Sequence, residues 1–149
     1  QKVFPIVRSQ IADIKFYIVG SNPSARVLAL TKIPGVIVTG KVEDIRPYLK
    51  YASIAIAPLR IARGIQNKVL EAMAMGKRVV LSPQAMEGIQ AVDGEELYVA
   101  TDEITFAGKI INLISEESGV EMNAARSRIL SDYTWSASFA RFDQLFMST

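Results

Sequence analysis

The chain reads as an α/β protein: a doubly wound parallel sheet, Rossmann-like, with extra helices at its C-terminal end. Three observations point there. Short apolar runs alternate with amphipathic stretches as far as Val99. The runs are apolar on both faces, as strands covered by helices on both sides must be. After Val99 the pattern turns to helix only.

In order, the expected strands are Phe16-Tyr17-Ile18-Val19, Val36-Ile37-Val38-Thr39, Ile54-Ala55-Ile56-Ala57, Arg78-Val79-Val80-Leu81 and Leu97-Tyr98-Val99. β-Branched and aromatic residues dominate them. Helices are expected between them, at roughly 2–12, 24–32, 43–51 and 67–75, because parallel strands need crossovers and right-handed crossovers stack helices on both faces. Asp102 or Thr101 caps a further helix bearing Phe106, Ile110, Leu113 and Ile114 at spacings of four, three and one. Ser118 to Leu130 forms the next. Thr134 caps a last helix with Trp135, Phe139, Phe142 and Phe146 on one face, expected mainly as core. If part of that face lacks a partner, its exposure favours self-association. The chain opens on a helix, whereas a doubly wound sheet ordinarily opens on a strand. Of the two explanations, an absent first strand is preferred to an appended helix.

The 149 residues are 50% apolar and 21% charged, enough for one domain (1–149) that buries roughly 68–70% of its unfolded surface. Seventeen basic against fifteen acidic residues leave +2, scattered without the basic stripe of a nucleic-acid binder. Cysteine and histidine are absent. Disulfides, thiolate nucleophiles, the usual zinc sites and imidazole bases are therefore excluded. Any chemistry falls to carboxylates, Lys, Arg, hydroxyls and backbone amides. No apolar run approaches the ~18 residues of a membrane span, and no secretion leader is visible, so a cytoplasmic location is expected.

Ligands of doubly wound sheets sit at the carboxyl ends of the strands. Gly20-Ser21-Asn22-Pro23 follows the first strand, and Gly40-Lys41-Val42 the second. Taken singly, Gly20 and Gly40 read best as turn residues. More specific is the loop Pro58-Leu59-Arg60-Ile61-Ala62-Arg63-Gly64-Ile65-Gln66-Asn67, which opens the helix Lys68-Val69-Leu70-Glu71-Ala72-Met73-Ala74-Met75. A helix N-terminus offers free amides and partial positive charge to a phosphate. Arg60, Arg63 and Lys68 add formal charge, and arginine grips phosphate through two parallel hydrogen bonds. Glu71, three residues beyond Lys68 on the same face, can accept from two ribose hydroxyls. The residues serve a second arrangement equally: Lys68 and Glu71 as a surface ion pair worth ~0.3–0.5 kcal/mol, with the arginines solvating a loop. A Walker loop and a full Gly-x-Gly-x-x-Gly are both absent.

The stretch from Pro58 to Val80 resembles the signature of family 4 glycosyltransferases with the GT-B fold. It most resembles bacterial exopolysaccharide sugar transferases, including those linked to PEP-CTERM sorting systems. Val36-Ile37-Val38-Thr39-Gly40-Lys41-Val42 resembles that family's base-binding turn, and Phe16 to Pro23 its strand and turn ending in Val-Gly-x-x-Pro. The resemblance implies the C-terminal, donor-binding half of a two-domain enzyme, with its first strand and N-terminal acceptor domain absent. It implies that Glu71 holds the ribose of a UDP-sugar or GDP-sugar. Gly64, Ile65, Gln66 and Asn67 meet the diphosphate and sugar through their amides, and Thr39, Gly40 and Val42, with Gly20, line the base. Lys68, Arg60 and Arg63 are the catalytic candidates, since donors rather than a metal or other cofactor neutralise the leaving diphosphate.

One departure stands out. The family has Glu at both ends of a seven-residue gap, and here Arg63 takes the first place, against an anionic sugar or the phosphates. Arg78 stands where the family commonly has proline, a departure expected to have no effect on function. The isolated chain is expected to bind donor without transferring sugar, and a glycan or lipid-linked acceptor would engage the N-terminal domain. A non-catalytic nucleotide-binding or interaction module of the same fold is the alternative. A sugar-nucleotide epimerase half is disfavoured by the lack of histidine, and a receiver domain by the lack of an acidic cluster after the first strand.

Overall fold

The computed structural model describes residues 2–116, 123–137 and 139. In chain order come α1 (Val3–Gln10), β1 (Phe16–Val19), α2 (Ala25–Leu28) running into a 3-10 turn (Ala29–Lys32), and β2 (Val36–Gly40). Then follow α3 (Arg46–Tyr51), β3 (Ile54–Ala57), α4 (Asn67–Ala74), β4 (Arg78–Leu81) and α5 (Pro83–Met86). The last are β5 (Tyr98–Val99), α6 (Glu103–Ser115) and α7 (Asn123–Asp132).

Local chemistry sets the boundaries. The Ser24 hydroxyl accepts from the Val27 amide and starts α2. The Asp44 carboxylate accepts from the Arg46 amide at 2.9 Å, so α3 begins at Arg46 rather than at the expected 43. Of the two candidate caps for α6, Asp102 does the work: it accepts from the Ile104 and Thr105 amides, and Thr105 Oγ1 accepts from the Asp102 amide in return. This reciprocal box satisfies donors the helix itself leaves open. The expected helix from Ser118 is seen as Asn123–Asp132, and 118–122 lie outside the described residues. Thr134 caps as expected, accepting from the Ala137 amide at 3.2 Å. Helix α5 was not foreseen, although Ser82 at its cap and Pro83 after it are a start signal.

All strand pairing is parallel, as the apolar runs require. β4 lies between β3 and β5, and β1 pairs with β2. The strands thus form two ladders, of two and three strands, rather than one continuous sheet. Burial differs accordingly. Every residue of β4 is buried, whereas Tyr17 of β1 is 45% exposed.

Alternation along β4 feeds two cores. Val79 and Leu81 join Val69, Ala72 and Met73 of α4, with Ala125 and Ile129 of α7. Val80 joins Val7 of α1 and Phe106, Ile110 and Leu113 of α6. Two charged groups are drawn in with their partners. Arg78, 6% exposed, reaches Glu116 at 3.6 Å, so the arginine standing where the family commonly has proline is a buried cation with an acidic partner. Glu96 accepts from Arg128 Nε at 3.1 Å and from the Val92 amide at 2.8 Å, tying α7 to the loop before β5.

Trp135 and Phe139 correct an expectation. Assigned mainly to the core, they are 81% and 63% exposed, with ring centroids 6.2 Å apart. Phe142 and Phe146 lie outside the described residues. Among the described residues no helix is long and apolar enough to cross a membrane.

Candidate functional site

Two groups of residues gather at the carboxyl ends of the strands. The first joins the turns after β1 and β2. The Gly20 amide donates to the Gly40 carbonyl at 3.2 Å, holding the turns side by side. A cavity of about 650 Å³ opens there, lined by Val19, Gly20, Ser21, Asn22, Lys41, Val42 and Ile45. Gly40 has φ 71°, a left-handed conformation that glycine adopts without strain. Gly20 has no such need; in its turn the left-handed residue is Asn22, at φ 51°. Gly20 and Val42, two of the residues expected to line the base, both border this cavity. Thr39 and Gly40 do not line it, and the Thr39 hydroxyl donates to the Gly40 carbonyl at 3.0 Å. Lys41 falls within the Thr39–Val42 turn expected to line the base; Ser21 and Asn22 were not among the candidates, though both follow Gly20 in sequence.

The second group is the loop from β3 into α4. Ser82, at the carboxyl end of β4, anchors its start by donating to the Leu59 carbonyl at 2.6 Å. Ser82 is a positioning residue that the sequence pattern did not single out, because its partner is a backbone carbonyl distant in the chain. At the far end Gly64 turns at φ 69°, and Gln66 Nε2 donates to its carbonyl at 3.0 Å. Gln66 is the N-cap of α4, yet no side chain caps the helix. The Val69 and Leu70 amides bond the Gln66 carbonyl. Among the described residues the amides of Asn67 and Lys68 find no acceptor, as the first turn of an uncapped helix leaves them.

The basic side chains differ in their surroundings. Arg60 lies near Glu103, which also accepts from Lys2 at 3.1 Å. Chiefly that Lys2 hydrogen bond, with Arg60 as a minor contributor, holds the Glu103 carboxyl below its usual range. Asp102 beside it is lowered as well, first by the Thr105 amide. Arg60 thus already faces negative charge. Arg63 and Lys68 are exposed and, among the described residues, carry no ion pair. Glu71 is exposed one turn beyond the start of α4 and forms no pair with Lys68. The surface ion pair that competed with the ligand reading is therefore not made. Val69, Ala72 and Met73 turn inward as the helical spacing requires. Gly64, Ile65, Asn67, Arg63, Lys68 and Glu71 are exposed and do not line the cavity beside Gly20.

Among the described residues no cluster of three or more acidic groups could hold a metal ion. Among the described residues the site offers free amides, two cations without an ion pair, an unpaired carboxylate and, at the ends of β1 and β2, a small cavity. That set suits an anion carrying a hydroxylated group.

Comparison with known proteins agrees with this architecture. The sequence profile described as "Glycosyl transferases group 1" matches residues 1–116. A Klebsiella pneumoniae protein, described as an uncharacterized 44.6 kDa protein in the cps region, is 30% identical over 128 residues. The match takes in 80% of this chain and 33% of that one, so the chain spans about a third of the relative's length. Among solved structures, sucrose-phosphate synthase from Thermosynechococcus elongatus superposes with a TM-score of 0.74 at 20% identity, over 99% of this chain and 43% of that one. Anabaena HepE, in complex with UDP and glucose, superposes at 0.70 with 16% identity, over 99% and 45%. At such identities the superpositions establish the fold.

Proposed function

The chain belongs to the group 1 glycosyltransferases, and from that premise we propose that it is the donor-binding half of such an enzyme, holding a nucleoside-diphosphate sugar across the carboxyl ends of its strands. The observation that carries the reading is the uncapped start of α4, with free Asn67 and Lys68 amides and the unpaired cations Arg63 and Lys68 around it. A diphosphate there meets aligned amides and two positive charges. Glu71, one turn on, accepts from the ribose hydroxyls. The base enters the cavity beside Gly20 and Val42.

In transfer, negative charge grows on the departing diphosphate as its bond to the sugar breaks. Amides and cations already in place stabilise that charge without reorganising. Lys68 and Arg63 would supply most of it; Arg60, already facing Glu103, would supply less. No metal enters this scheme. The Anabaena neighbour solved with UDP and glucose supports the donor class, and the relative in a cps region supports polysaccharide synthesis as the setting. The acceptor, a glycan or a lipid-linked sugar, would be held by the remainder of the full-length protein.

Calorimetric titration of the full-length protein with UDP, GDP and their sugar conjugates tests the proposal. One diphosphate series should bind, and Glu71→Ala should weaken it by about 1–3 kcal/mol, the cost of stranding hydrogen-bonding groups. Binding that ignores Glu71→Ala, or no binding to either series, rejects the assignment.

A further inference from the structure

The loop from β3 into α4 is met at both ends by the connection that follows β4. Ser82 engages its start, donating to the Leu59 carbonyl at 2.6 Å. Farther along the same connection, Gly88 meets its end. Gly88 is exposed and turns at φ 80°, in the left-handed region that glycine occupies without strain. A Cβ at this position would stand 3.2 Å from Ile65 Cγ1, closer than such atoms ordinarily come. It would lie 3.7 Å from the Ile65 nitrogen and 4.0 Å from the Gly64 carbonyl carbon. Beyond the chain neighbours of Gly88 these are the three nearest atoms, and all belong to the loop. The loop, not the core, restricts residue 88. Gly94, in the same connection, turns in open space.

A brace must itself be fixed, and this one is. The Ser82 hydroxyl accepts from the Ala85 amide and starts α5. The Ile89 amide donates to the Met86 carbonyl at 2.9 Å and closes the turn that holds Gly88. Ile89 is 5% exposed and lies in the core shared by α4 and α7. The next residue is tied to the end of α7: the Gln90 amide donates to the Tyr133 hydroxyl at 2.7 Å. Tyr133 directly follows α7, its amide bonded to the Ile129 carbonyl, and it packs against the same core. A continuous route of contacts therefore runs from α7 through Tyr133, Gln90 and Gly88 to Gly64 and Ile65.

We propose that Gly88 and Tyr133 are positioning residues for the candidate site. Tyr133 fixes the connection through the Gln90 amide. Gly88, lacking a side chain, lets that connection lie against Gly64 and Ile65 and so sets the place of their amides. Both act through the loop rather than on a ligand. Donors already in place hold an anion without the ordering cost that a loose loop would charge to binding. A loop held only at Leu59 would have to be ordered by its ligand, so the brace raises affinity for a diphosphate. That consequence rests on the donor-binding proposal. The brace itself rests on contacts within the chain and stands apart from it.

Two measurements on the full-length protein test this. Amide NMR resonances without nucleotide report the brace, and titration with UDP and with GDP reports its consequence. Tyr133→Phe keeps the ring and removes only the acceptor. It should move the Gly64 and Ile65 resonances, leave those of Thr39 and Gly40 in place, and weaken the nucleotide that binds about threefold. Gly88→Ala should move the same two resonances and weaken binding roughly tenfold. Ile65→Ala removes Cγ1, so in that background Gly88→Ala should weaken binding only about threefold, the part owed to backbone strain alone. Gly64 and Ile65 resonances that stay in place in Tyr133→Phe overturn the proposal, a result that stands even if Gly88→Ala does not fold. Equal losses from Gly88→Ala with and without the Ile65 side chain overturn it as well. An unaltered protein that binds neither nucleotide rejects the donor-binding proposal, and the resonances still decide the brace.

Discussion

The two ladders of this molecule are built from similar apolar runs and end up in different conditions. β4 has a neighbour on each edge and a core on each face, so Val79, Val80 and Leu81 are at most 1% exposed. β1 has a neighbour on one edge and a cleft on the other, and Tyr17 remains 45% exposed. A strand's sequence therefore states what it is able to bury; the number of its neighbours decides what it does bury. The proposed donor site divides along the same line. The β3–β5 half supplies the rigid base of α4, where the charged groups are, and the β1–β2 half supplies the small cavity.

Three changes would break or sharpen that contrast. Leu81→Ala, deep in the first core, should cost about 2–5 kcal/mol of unfolding free energy by urea titration. Val38→Ala in half-buried β2 should cost about 1 kcal/mol, since less surface returns to water. Equal losses would mean the two halves are packed alike. Glu96→Ala comes next. It strands the Val92 amide and leaves Arg128 with Asp132 alone, and should cost about 2 kcal/mol, with Glu96→Gln retaining part because its oxygen still accepts. No change for Glu96→Ala would remove the tie between α7 and the β5 loop.

The smallest effect is one of pH. Backbone amides hold Asp102 below its usual range, and the Lys2 hydrogen bond does the same for Glu103. A lowered folded-state value means the unfolded chain takes up protons first as the pH falls. Their stabilisation is complete above the ordinary carboxylate range and is lost as the pH drops through the lowered values. Asp102→Asn, which still caps, should flatten that acid limb in thermal melts. An unchanged limb would show that Asp102 adds nothing to it.

Much of this was legible in the chain. The strands at 16–19, 36–39, 54–57 and 78–81 stand where apolar runs of matching length stand, because two-sided burial leaves a strong signature. Ser24, Asp102 and Thr134 cap their helices, as side chains that compete for backbone amides should. What was not legible depends on distant partners. The burial of Arg78 needs Glu116, the role of Ser82 needs the Leu59 carbonyl, and the pairing of Glu96 needs Arg128. The exposure of Trp135 and Phe139 depends on which surfaces meet, and periodicity reports only that they share a face. At the candidate site the sequence located the loop and the start of α4, and the structure adds that no side chain caps the helix there. The contribution of Ser21 and Asn22 to the cavity came only with the folded turns.

The central claim is that both halves meet one ligand at the carboxyl edge. Hydrogen exchange of the full-length protein, with and without saturating UDP or GDP, measures this directly. One nucleotide should slow exchange at two separate places, residues 20–22 with 40–42 and residues 64–68, while the buried amides of β4 stay unchanged. Slowing at neither place, or at only one of them with either nucleotide, would contradict a shared site.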